Sequence, residues 1–118
     1  MQKSEKNLNE KLKLKHLLES ENFRIRTAMF IGEKRISTLK SFFDGIYYSF
    51  DIYNIKEENI FLGLNEWTIK HYNWKETSAG WKDIILKECE NDEEKAVDEF
   101  FRIYDKFKQK PVANTVYN

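Results

Sequence analysis

The chain contains one cysteine, one proline, four glycines and two histidines in 118 residues. A single cysteine excludes an internal disulfide and fits a reducing compartment. So little proline and glycine leaves few breaks for strands and tight turns, and helices are favoured. The same scarcity of glycine argues against loops that cradle nucleotide phosphates. Two distant histidines, His16 and His71, and a lone Cys89 make no zinc cluster, so neither metal nor cofactor is expected. No apolar run approaches membrane-spanning length, and the first residues, MQKSEKNLNEKLKLKHLL, lack the apolar core of a signal peptide. These absences predict a cytoplasmic protein with no membrane partner and no small-molecule substrate.

Net charge is also absent, with 20 basic and 20 acidic residues. That removes the chain-wide case for nucleic-acid binding. The average conceals a polarity. Residues 1–40 carry ten Lys/Arg against five Asp/Glu, a net of +5, and residues 83–105 carry nine acids against three bases, a net of −6. Each end can meet a partner of opposite sign, or the two can lie beside each other.

Apolar and aromatic side chains are abundant. Hydrophobic residues make up 41% and aromatics 15%, with 34% charged, which is a globular composition and not a disordered one. The length suits one domain. The prediction is an all-α, single compact domain of about five helices over residues 11–110. A frayed polar stretch, 1–10, precedes it, and a tail, 111–118, follows the break at Pro111.

The first helix is predicted from Lys11 to Glu21, burying Leu14, Leu17 and Leu18. Residues 22–36 read as an extended, partly buried connector ended by Gly32, with one short strand as the alternative. The clearest helix covers 37–53. Ile36, Leu39, Phe42, Phe43, Ile46, Tyr47, Phe50 and Tyr53 fall within an arc of about 140°, with Ser37 as N-cap and Gly45 in mid-helix. Residues 54–63 read as a loop. Asn65 is the expected cap of a helix to Tyr72, and Thr77 or Ser78 of a helix to Glu90. Asn91 and Glu94 have capping-box spacing at the start of a last helix. Its broad apolar face, from Ala96 to Phe107, suits a central position.

His71 and Cys89 lie on apolar stripes, between Trp67 and Trp74 and after Ile85. A core-edge histidine and a small buried hydrophobe fit better than a nucleophile and its base, which need a polar pocket, so no enzyme is expected. The segment ECENDEE is acidic but lacks the glycine and alternating ligands of a calcium loop. MFIGEK resembles the MYIG segment near the start of type II topoisomerase ATPase domains, but the other residues of that ATP site have no counterpart.

Two faces remain for a partner. One is acidic: Asp83, Glu90, Asp92, Glu93, Glu94, Asp98 and Glu99. The other sets Tyr48 between Asp44 and Asp51 on the polar side of the 37–53 helix, where an exposed tyrosine can anchor an interface. The basic side chains Arg24, Arg26, Lys34 and Arg35 offer a lesser route to nucleic acid.

The stretches MFIGEKRISTLKSFFDGIYYSF and TSAGWKDIILKECENDEEKAVDEFFRIYDKF together resemble the immunity proteins of contact-dependent growth inhibition and related bacterial polymorphic-toxin systems, over roughly residues 23–108. The resemblance implies a cytosolic inhibitor that neutralises one cognate toxin domain, often a nuclease, by stoichiometric binding. It assigns no individual residue. An acidic face would suit the cationic cleft of a nuclease. A helical adaptor for another protein, or a small nucleic-acid binder using the basic N-terminal third, are the alternatives.

Overall fold

The computed structural model describes residues 13–75 and 77–109. The stretches 1–10 and 111–118 that the sequence marks as frayed end and tail lie outside the described residues. Seven helices follow in order: α1 Leu14–Leu18, α2 Glu21–Ile25, α3 Thr27–Ile31, α4 Ile36–Ile52, α5 Leu64–His71, α6 Trp81–Glu88 and α7 Glu93–Lys108. No strand occurs among the described residues. The predicted all-α domain is therefore present, with seven helices among the described residues where the sequence suggests about five.

The two added helices occupy the stretch predicted as an extended connector. Ser20 caps α2, its Oγ accepting the Phe23 N–H at 3.3 Å. Arg26, at φ −114° and ψ 40°, interrupts the helix. Thr27 Oγ1 then donates to the carbonyls of Phe23 and Arg24, both at 3.0 Å, and ties α3 to α2. Helices of five residues show too little of a helical period to be read from apolar spacing. Gly32 ends α3 at φ 95°, as its type predicts.

Helix α7 is central, packing against α4, α5 and α6. Its Phe100 has no exposed surface and sits 4.8 Å from the Trp81 ring, 5.4 Å from Phe101 and 5.7 Å from Phe43. Burying one such ring contributes about 2–3 kcal/mol. The predicted 54–63 loop is not merely a spacer. Its Phe61 ring enters the same cluster, 5.0 Å from Phe43 and 5.9 Å from Trp81. The Tyr47 hydroxyl fixes the loop, accepting from Ile60 N–H at 3.0 Å and donating to the Glu58 carbonyl at 3.2 Å.

Helix starts differ from the local cap predictions, and at α4 and α6 the reason is that the cap comes from across the fold. Arg35 occupies the cap position of α4, and Ser37 donates both its N–H and its hydroxyl to Glu93 of α7, at 3.0 and 2.9 Å. Helix α5 begins directly after Gly63, at φ 87°, and Asn65 caps α6 instead, accepting the Trp81 N–H at 2.7 Å. Helix α6 thus begins at Trp81 and not at Thr77 or Ser78. At α7 the cap is Asp92, whose Oδ1 accepts from Glu94 N–H and Lys95 N–H at 3.1 and 3.0 Å. Asn91 instead adopts a left-handed turn, φ 65°, and the predicted capping box does not form.

Candidate protein-binding surface

Part of the charge polarity of the sequence is satisfied within the molecule. Arg24 pairs with Asp105 at 2.7 Å, Lys34 with Asp98 at 3.0 Å and Arg35 with Glu93 at 3.1 Å. In the opposite sense Lys108 pairs with Glu19 at 3.4 Å. Residues 24–35 are thus tied to α7. Three of the four cations considered for nucleic acid are thereby engaged, and Arg26 bonds to Asn22 at 2.6 Å.

This arrangement also divides the predicted acidic face. Burial opposes ionisation of Glu93, but the Ser37 bonds and the Arg35 charge outweigh it and hold the carboxyl below its ordinary range. Asp92 serves as the α7 cap, and Asp98 faces Lys34. Glu99 accepts from Arg102 and from the Tyr72 hydroxyl, and the Arg102 hydrogen bond leads the causes that lower its pKa. Asp83 is exposed beside Lys82. Glu90, Asp92 and Glu94 are the exposed acids of this set without an ion pair among the described residues, and of these Asp92 is engaged as the α7 cap. Glu90, Asp98 and Glu99 line one open groove of about 390 Å³ with Cys89 and Arg102, whereas Asp83, Asp92, Glu93 and Glu94 do not line it.

Glu90 carries a further constraint. Helix α6 ends in a Schellman turn, with Asn91 N–H bonded to the Leu86 carbonyl at 2.8 Å and Glu90 N–H to that of Lys87 at 3.0 Å. Glu90 holds the left-handed position at φ 56°, which disfavours a side chain with a Cβ. The Glu90→Gly variant is expected to gain about 1 kcal/mol of stability in urea denaturation at unchanged m. A loss of stability would show that the side chain makes contacts that outweigh the strain.

The second predicted face is intact. Tyr48 is 68% exposed. Asp44, Tyr48 and Asp51 lie within about 60° of arc on one side of α4. Asp44 pairs with Lys40 at 2.7 Å, and Asp51 is exposed with no ion pair among the described residues. The structure adds residues that the sequence reading leaves out. Ile52, one turn after Tyr48, is 55% exposed, and Tyr53 and Ile55 stand out beyond it. Tyr53 belongs to the predicted apolar arc but takes the C-cap position, where the chain turns away from the core. The signal for Ile52 is present in the sequence, because it falls on the polar side together with Tyr48. A second exposed apolar group, Ile25, Met29 and Phe30, lies on α2 and α3.

His71 stacks on Trp67, rings 4.9 Å apart and 10° from parallel. It is exposed and not buried at the core edge. Partial desolvation of the ring, then Lys106 and Arg102, lowers its pKa. Burial, then Glu99, raises that of the half-buried Cys89 thiol, the opposite of what activates a nucleophile. No hydrogen bond joins the two. No group of three or more His, Cys, Asp or Glu among the described residues is placed to hold a metal ion. No described helix is long and apolar enough to cross a membrane. No family model matches the chain, and neither a curated protein nor a solved structure matches it significantly.

Proposed function

We propose that this protein acts by stoichiometric binding to another protein and that it serves as an immunity protein, neutralising a cognate toxin domain. The observation that carries the binding reading is the α4 face: Tyr48 and Ile52 stand in solvent beside Asp44 and Asp51. Exposed aromatic and aliphatic side chains grouped with charge mark interaction sites in soluble proteins. The face carries Asp44 and Asp51 against Lys40, which is paired with Asp44 at 2.7 Å, a net of −1, so it favours a basic partner. A toxin as that partner rests on the resemblance of residues 23–108 to immunity proteins. The internal pairing of Arg24, Lys34 and Arg35 weighs against the nucleic-acid alternative.

The test is growth protection against a toxin domain encoded beside the gene, with calorimetry on the purified pair. The wild-type chain is expected to protect and to bind one to one. The double variant Tyr48→Ala, Asp51→Lys is expected to bind at least tenfold more weakly, about 1.4 kcal/mol, with an unchanged melting temperature. Full protection by this variant would remove the α4 face from the reading. Retention of the wild-type chain on RNA, lost at higher salt, would move nucleic-acid binding to the front.

A further inference from the structure

Along α4, Ser41, Gly45, Tyr48 and Ile52 recur at spacings of four, three and four residues, and all four are exposed. That is the seam spacing of a helix packed against another helix. Among the described residues no other helix occupies the seam at its centre: a Cβ built on Gly45 meets nothing within 4 Å. A mid-helix glycine disfavours the helix relative to alanine, and no packing among the described residues uses it. The Ser49 hydroxyl, on the rim, donates to the Gly45 carbonyl at 2.9 Å and needs no outside partner. The result is a gap in the side-chain surface at Gly45, between Ser41 one turn before it and Tyr48 one turn after it.

A second copy of this chain does not suit the gap. The antiparallel register that sets Gly45 opposite Tyr48 and Ser41 opposite Ile52 brings Asp44 to within about two residues of Asp51 across the seam, twice over by symmetry. Asp44 is shared with Lys40 of its own helix at 2.7 Å, while Asp51 has no ion pair among the described residues, so the surplus negative charge opposes self-pairing and favours a partner with bases at the flanking positions. We infer that α4 receives one amphipathic helix of the partner, running along the seam, with a large apolar side chain over Gly45 and lysines or arginines beside Asp44 and Asp51. This inference rests on the protein-binding reading above and specifies how that face is used.

The probes are two synthetic peptides of about three heptads, with Leu at the seam and either Lys or Glu at the flanks. The Lys peptide is expected to bind the full chain at least tenfold more tightly than the Glu peptide at low salt. Gly45→Leu fills the gap without touching the core and is expected to lower that binding at least tenfold. Gly45→Ala, which adds only a methyl group, is expected to weaken it less than Gly45→Leu does and to raise the melting temperature by about 4 °C. Asp51→Lys is expected to reverse the peptide preference and to permit self-association, since it turns the Asp44 repulsion into attraction. Equal binding of the two peptides, or unchanged binding by Gly45→Leu, would overturn the inference. If the peptides fail while growth protection still depends on Tyr48, the helix mode is wrong and the toxin reading stands. If the Lys peptide binds but no protection is found, the toxin reading fails alone.

Discussion

Replacing Glu93 by alanine is expected to destabilise the fold by about 2 kcal/mol, while Glu94→Ala, one residue later, is expected to change it by less than about 0.5 kcal/mol. The Glu93 carboxylate accepts from the Ser37 N–H, the Ser37 hydroxyl and Arg35. It thereby caps the longest helix, α4, whose own cap residue supplies no side-chain bond. A lost cap costs about 1 kcal/mol, and a hydrogen bond to a charged group contributes somewhat more than a neutral one. The Arg35 pair adds little, because Arg35 is half exposed. Glu94 is exposed and has no ion pair among the described residues. Chemical denaturation of the two variants decides the matter, and equal losses would show that Glu93 does not cap α4. Reversing Glu93 and Glu94 together, the natural test of an acidic binding face, would therefore confuse unfolding with lost binding. Glu94 and Glu90 are the acids on which that face can be tested.

The largest loss is expected from Arg24→Ala, about 2–3 kcal/mol. The guanidinium bonds both Asp105 oxygens, at 2.8 and 2.7 Å, and its Nε donates to the Leu18 carbonyl at the end of α1, at 2.6 Å. Its central carbon also lies 4.9 Å from the Phe101 ring centre. One side chain thus joins α1, α2 and α7. The bidentate geometry lifts the pair above an ordinary surface ion pair, although partial exposure of Asp105 limits the gain. Arg24→Lys cannot make the paired bonds and is expected to recover less than half of the loss.

The same contact predicts a pH dependence. The Arg24 hydrogen bonds hold Asp105 below its ordinary value of 3.8. Glu93 and Glu99 lie below theirs, 4.5. A folded-state pKa below the unfolded one gives stability that is complete above the unfolded value and is lost as pH falls through the folded value. Stability is therefore expected to hold above about pH 5 and to decline below about pH 4. In Arg24→Ala the Asp105 part of that decline should shrink to the smaller share that Lys108 supplies. An unchanged acid limb in that variant would show that the pair does not set it.

Burial along α4 and α7 was legible because each helix repeats its pattern over several turns. Leu39 and Phe43 in α4, and Val97, Phe100 and Tyr104 in α7, are buried where their spacing predicts. The 22–36 stretch was not legible, because two five-residue helices fall below the length at which a period shows. Ser37, Asn65 and Glu93 were each assigned a local or surface role from sequence neighbours. Their actual partners lie 56 residues away for Ser37 and Glu93 and 16 for Asn65 and Trp81.

The sequence by itself determined an all-α chain with α7 rich in buried aromatics, a basic beginning and an acidic end. It did so because composition and helical period are local properties. The tertiary structure alone decided which charges face solvent. Pairing between the two ends engages Arg24, Arg35 and Glu93 and leaves Tyr48, Asp51 and Ile52 on the surface. That outcome depends on which helices pack together, and spacing along one helix carries no record of what lies across from it.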